Sequence, residues 1–120
     1  MEYPINPYSY VGTVISKEEF ITLVCQILAV PIKDFRKNTR VELVIDARLI
    51  ISFYLIKYAK VSITELPDIL KVPVKRSTLN ISILNYEDRY KFNSTFKNRV
   101  DKVKIKLNSL NIYEKNIKIV

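Results

Sequence analysis

Apolar residues recur along this chain mostly at intervals of three and four, and prolines and capping residues cut the pattern into segments. The first opens at "SKEE", where Ser16 stands three residues before Glu19 in the reciprocal capping arrangement. Phe20, Leu23, Val24, Ile27 and Leu28 then form one stripe of a helix expected to run to about Val30, since Pro31 disfavours continuation. "PIKDFRKN" reads as a short turn or single helical turn with Ile32 and Phe35 as inward anchors. From Arg40 to about Lys60 the pattern is apolar nearly all round. Leu43, Val44, Ala47, Ile50, Ile51, Tyr54, Leu55 and Tyr58 lie on one side, and Val41, Ile45, Leu49, Phe53 and Ile56 on others. Such a helix belongs at the centre of a small bundle. Its β-branched content suits a strand, but Asp46, Arg48 and Ser52 break the alternation a strand needs.

Proline is tolerated in the first turn of a helix, where its missing N–H has no partner to lose. Pro67 therefore places the start of the next helix at Thr64 or Glu65, with an end near Lys71. "KVPVK" is the turn after it. The helix that follows, about 76–90, is expected to take Ser77 or a close neighbour as its cap. A last helix begins around Ser94, with Phe96, Val100, Val103, Leu107 and Leu110 inward and Lys97, Lys102, Lys104 and Lys106 on a solvated face. The predicted fold class is all-α: a small multi-helix bundle over 16–112, preceded by an extended arm (1–15) and followed by a tail (113–120). The arm holds a candidate strand at "YVGTVI"; "YEKNIKIV" in the tail reads as a short strand or frayed.

Composition narrows the chemistry. With no histidine, the usual general base near neutral pH is missing. Cys25, the single cysteine, lies in the apolar run "ITLVCQILAV" and reads as a small buried hydrophobe. The acidic pairs Glu18-Glu19 and Glu87-Asp88 are sequence neighbours and so splay apart on a helix. No catalytic set, metal site, cofactor or small-molecule substrate is expected. No apolar run reaches membrane-spanning length and the first residues lack a secretory pattern, so the expectation is a cytoplasmic protein with no membrane partner. The net charge of +8 favours polyanions, nucleic acid first.

A short helix, a tight turn and a second helix against a long buried one make a helix-turn-helix arrangement. The residues there resemble the C-terminal DNA-binding domain of the DnaA-type bacterial replication initiators, a variant of the Trp-repressor-like group, from about Ile21 to Leu110. "KNTRVELVIDARLIISFYL" (37–55) is similar to that family's basic loop and long helix, with Arg40 opening the segment and Ala47-Arg48 seven residues on. "LPDI" (66–69) resembles the start of the motif's first helix, and "RSTL" (76–79) the start of its recognition helix. Phe96, Val100 and Leu107 fit the closing helix.

The register of the turn follows from the apolar spacing. An ungapped match sends the inward positions to Ile81, Leu84 and Asp88, burying an aspartate. A turn shorter by two residues sends them to Leu79, Ile83 and Tyr86, a consistent apolar face. In that register Lys75, Arg76 and Ser77 stand where the family carries its Asp-His-Thr base readers, so the family's site preference does not transfer. The family's ATPase motif, Gly-x-x-x-x-Gly-Lys-Ser/Thr, has no counterpart in this chain.

The resemblance implies a stand-alone, non-enzymatic binder of double-stranded DNA, nucleoid-associated, serving as a regulator or as a replication or architectural accessory. Candidate DNA-binding residues are Lys75, Arg76, Ser77, Thr78 and Asn80 at the recognition helix, with Arg36, Lys37 and Arg40 in a basic loop. Arg48 is expected to pair with Asp46 or Glu42. The alternative is a scaffolding module, of phage or mobile-element origin, that kept the fold but not DNA binding. It would form a homo-oligomer through the arm bearing Tyr3, Tyr8 and Tyr10.

Overall fold

The computed structural model describes residues 14–110, 112–113 and 117–120. The fold is all-α. Its helices are α1 (Lys17–Ile27), α2 (Ile32–Phe35), α3 (Glu42–Ala59), α4 (Leu66–Leu70), α5 (Arg76–Leu84), α6 (Tyr86–Phe92) and α7 (Ser94–Ser109). Two short strands, β1 (Val14–Ile15) and β2 (Lys118–Ile119), pair in parallel. The arm's tyrosines lie outside the described residues; of its candidate strand, Val14 and Ile15 form β1.

Ser16 starts α1 as the capping pattern predicts. Its hydroxyl accepts from the Glu19 N–H at 3.1 Å, and its own N–H donates to Glu19 Oε1 at 3.0 Å. The helix stops at Ile27, short of the expected Val30. Ala29 turns left-handed (φ 58°), and the Val30 N–H reaches back to the Cys25 carbonyl at 2.8 Å, closing the end in Schellman fashion. α2 buries Phe35 but leaves Ile32 38 % exposed, so only one of the two expected anchors turns inward.

α3 is the core's axis, as its all-round apolar pattern requires. Val44, Ala47, Leu49, Ile50, Ile51, Tyr54 and Leu55 are buried, with Phe20, Phe35 and Phe96 packed into the same cluster. The segment set apart as a tail joins this core through Ile117 and Ile119. β2 seats the second of these against α3, while the Lys17 N–H donates to the Val120 carbonyl at 2.9 Å. Cys25 is buried and free, and burial pushes its thiol up to about 11.

α4 carries Pro67 in its first turn and ends at Lys71, which takes the left-handed conformation (φ 56°). A tight turn leads to α5, which packs Leu79 inward and rests Ile83 on the core. The single helix expected over 76–90 is two. Asn85 (φ −95°, ψ 3°) ends α5 with its N–H shared between the Ile81 and Ser82 carbonyls, each at 3.2 Å, and α6 starts at Tyr86. The bend has a packing reason. It brings the Tyr86 ring flat onto Phe53, with centroids 3.9 Å apart, and lets Arg89 reach the buried Asp46. Asn93 then starts α7, its side-chain oxygen accepting from the Phe96 N–H at 2.9 Å. Phe96, Val100, Val103 and Leu107 are buried, while Leu110, expected on the same stripe, lies beyond the helix end and is exposed.

Candidate nucleic-acid interface

Two segments that the sequence assigned to one surface do come together. The connection between α2 and α3 and the first two turns of α5 border a hollow of about 190 Å³, lined by Thr39, Arg48, Leu49, Val74, Thr78 and Ser82 among others. Arg40 follows Thr39 directly, and Arg76 stands two residues before Thr78, so both cationic segments flank this hollow.

Arg48 shapes the loop from inside. It is 5 % exposed; its Nε donates to the Phe35 carbonyl at 2.9 Å and its guanidinium to the Lys37 carbonyl at 2.6 Å. Those oxygens lie at and just past the end of α2, where carbonyls lack helical partners. The expected pairing of Arg48 with Asp46 or Glu42 is therefore replaced by a cap on the loop backbone. Desolvation pulls its pKa below the ordinary value, yet an arginine starts so high that it stays charged at neutral pH.

Asp46 is taken elsewhere. Its side chain is 1 % exposed and accepts from Arg89 at 2.9 Å and Arg99 at 2.6 Å, tying α3 to α6 and α7. The Arg89 guanidinium also lies 4.5 Å from the centroid of the Phe96 ring. Arg99 further reaches Glu42 at 3.5 Å. The clue to this clamp was an aspartate within a helix apolar on every side, which needs a cationic partner from another element.

The loop candidates divide. Arg36 donates through Nε to the Leu70 carbonyl at 3.1 Å and pairs with Glu18 at 2.8 Å, so it staples α1, α2 and α4 together. Lys37 is exposed, with Asp34 3.2 Å away. Arg40 is exposed with no hydrogen bond or ion pair among the described residues.

Lys75, just before α5, and Arg76, Ser77, Thr78 and Asn80 on it are all exposed. The cap position belongs to Lys75 rather than Ser77, and Lys75 offers no side-chain acceptor to the helix. Thr78 and Leu79 donate to the Lys75 carbonyl, whereas the Arg76 and Ser77 N–H groups find no acceptor among the described residues. No acidic residue stands in this first turn. A helix start with open N–H groups and two adjacent cations concentrates positive potential, and it suits an oxyanion such as a phosphate.

Ile81 was missed as a surface residue. It is 60 % exposed, one position past Asn80, and Leu84 is 74 % exposed behind it. The shorter-turn register carries that signal, because placing Leu79 and Ile83 inward turns Ile81 and Leu84 out. Among the described residues no group of histidine, cysteine, aspartate and glutamate gathers to hold a metal ion. Among the same residues no helix is long and apolar enough to cross a membrane. No protein-family model, no curated protein and no solved structure matches this chain.

Proposed function

We propose that this chain binds double-stranded DNA through α4, its turn and α5 acting as a helix-turn-helix, with α5 in the major groove. The resemblance read from "LPDI", "RSTL" and the segment opened by Arg40 supports this reading. The observation that carries it is the sorting of the arginines. Of the six, Arg36, Arg48, Arg89 and Arg99 are engaged by protein acceptors. Arg40 and Arg76, the two with no such partner among the described residues, stand one and two positions in sequence from Thr39 and Thr78, which line one hollow. Lys75, Arg76 and the open N–H groups of α5 contact backbone phosphate at the groove edge. Asn80 and Ile81 face base edges, Asn80 suiting adenine and Ile81 a thymine methyl. Arg40 and Lys37 hold the flanking backbone, and Arg36 serves the fold instead.

The test is fluorescence anisotropy on labelled duplex DNA across a salt titration. Affinity is expected to fall with salt by a log–log slope of about −0.9 for each phosphate neutralised. Lys75→Ala with Arg76→Ala is expected to flatten that slope by about one for each lost contact. No binding at low salt, or binding untouched by the double variant, overturns the assignment.

A second reading, a protein-binding scaffold, draws on one observation. Leu84 and Phe92, at the ends of α5 and α6, are 74 % and 80 % exposed, and Ile81 lies one turn before Leu84. Leu84→Ser with Phe92→Ser separates the two. Loss of self-association with duplex affinity intact favours a scaffold role for this patch, and unchanged size in sedimentation removes it.

A further inference from the structure

Between α3, α6 and α7 lies a hollow of about 540 Å³, within the size range of small-ligand sites. It opens on a different part of α3 from the DNA candidate: Phe53 and Lys57 border it, about one turn and two turns beyond Leu49. Its wall is aromatic. Phe53 and Tyr86 stack with planes 4° apart, and Tyr90 borders the same space, its hydroxyl donating to Asp101 at 2.6 Å. Its cations come from all three helices: Lys57 from α3, Lys91 from α6, and Lys97 and Lys104 from α7. The ammonium groups of Lys97 and Lys104 lie 5.3 and 5.0 Å from the Tyr90 ring centroid, and that of Lys57 lies 5.7 Å from Phe53. Nothing in the duplex assignment uses this hollow.

We propose that this hollow is a nucleotide site, taking one aromatic base against the Phe53, Tyr86 and Tyr90 wall and one phosphate among the lysines. Aromatic side chains stack on any base, and lysines supply compact point charges for phosphate. The charge balance sets the number of phosphates. Glu87 and Asp88 also border the hollow, and Asp101 already holds Lys97 at 3.0 Å. The surplus of positive charge is small, so it suits a single phosphate rather than a chain of three. Either of Glu87 and Asp88 can accept from an exocyclic amine, which favours adenine, cytosine and guanine over thymine. Two sources share this chemistry: a free nucleoside monophosphate and a nucleotide within a single strand.

Amide NMR titration of the full chain tests the site, with adenosine 5′-monophosphate, thymidine 5′-monophosphate, adenosine, inorganic phosphate and a short single-stranded adenine oligonucleotide as probes. Saturable shifts are expected at Lys57, 86–91 and 97–104 with the adenine monophosphate. Adenosine and phosphate alone should bind at least about tenfold more weakly, since each supplies one half of the recognition. The thymidine nucleotide should bind more weakly than the adenine nucleotide. An oligonucleotide that binds more tightly than the mononucleotide identifies a strand as the source, and equal affinity identifies the free nucleotide. Lys57→Ala with Lys104→Ala should weaken the nucleotide about tenfold while leaving the thermal midpoint and duplex affinity unchanged. Absence of saturable shifts, equal response to phosphate alone, or shifts outside α3, α6 and α7 overturns the proposal. A loss of duplex binding alone leaves the nucleotide readout standing, so the two assignments fail separately.

Discussion

Arginine does two different jobs in this molecule, and the contrast between the clamp at Asp46 and the open start of α5 shows how. In the clamp, Arg89 and Arg99 converge on a carboxylate 1 % exposed, and the charges are consumed by the fold. At α5, Arg76 and its neighbour Lys75 stand exposed on a helix start with no protein acceptor for them among the described residues. Removing a partner from the first set strands a buried charge. Removing a residue from the second disturbs nothing inside the protein. A net charge of +8 therefore overstates the surface available for recognition, because part of it is spent on packing.

The largest effect belongs to the clamp. Asp46→Ala leaves two arginines facing an empty, water-poor position, and such losses typically cost about 3–5 kcal/mol. With Arg89 and Arg99 side chains 28 % and 23 % exposed, the lower end applies. Urea unfolding should show it as a fall in midpoint with little change in slope. A cost below about 1 kcal/mol, the level of an ordinary surface pair, would erase the distinction between the two sets.

Lys75→Ala with Arg76→Ala runs the comparison from the other side. Stability should stay within about 0.5 kcal/mol of the parent chain, as for surface changes away from packed features. Duplex affinity should fall by roughly tenfold or more at low salt, since each lost phosphate contact steepens the deficit there. If the midpoint falls instead, these residues support the fold and the contrast collapses.

Lys71 sharpens the boundary between the two sets. It ends α4 with φ 56°, a conformation that costs a residue with a Cβ about 1 kcal/mol. The chain's single glycine, Gly12, stands at none of these helix ends, and among the described residues three positions, Ala29, Lys60 and Lys71, take this strain instead. Lys71→Gly should raise stability by about 0.5–1 kcal/mol. Unchanged duplex affinity would place Lys71 with the structural residues, while a drop would extend the binding surface into the turn.

Much of this was legible from spacing. The capping box at Ser16 and Glu19, the central α3, the proline start of α4 and the inward set Leu79, Ile83 and Tyr86 all follow from local rules acting within one turn or two. What spacing missed depends on partners far along the chain. Asp46 and Arg99 are 53 residues apart, and nothing local says that Arg48 will prefer backbone carbonyls of α2 and its loop to the aspartate two positions before it. The break at Asn85 is of the same kind, because its cause is the fit of Tyr86 on Phe53 and of Arg89 on Asp46. For the candidate site, the cationic loop and helix start were visible as residues. That Arg36 would be withdrawn into the fold by Glu18 and Leu70 was not.

Asp101 lies between the two extremes, and the smallest expected effect belongs to it. Hydrogen bonds from the Tyr90 hydroxyl and the Lys97 ammonium hold its carboxyl below the ordinary aspartate value, with its side chain 32 % exposed. A carboxyl depressed in the folded state stabilises the protein wherever the unfolded chain would bind the proton more readily. Its contribution is therefore complete above the ordinary aspartate value and is lost as pH falls through the lower, folded value. Asp101→Asn should leave a chain whose stability declines less steeply on acidification, while the two proteins differ little in shape of response near neutral pH. Thermal midpoints taken from neutral to acid pH for both chains check this. Parallel curves would mean that Asp101 is solvated like a free surface charge; a divergence as large as the Asp46→Ala loss would place it in the clamp's class, although solvent reaches it and salt screens its lysine partner.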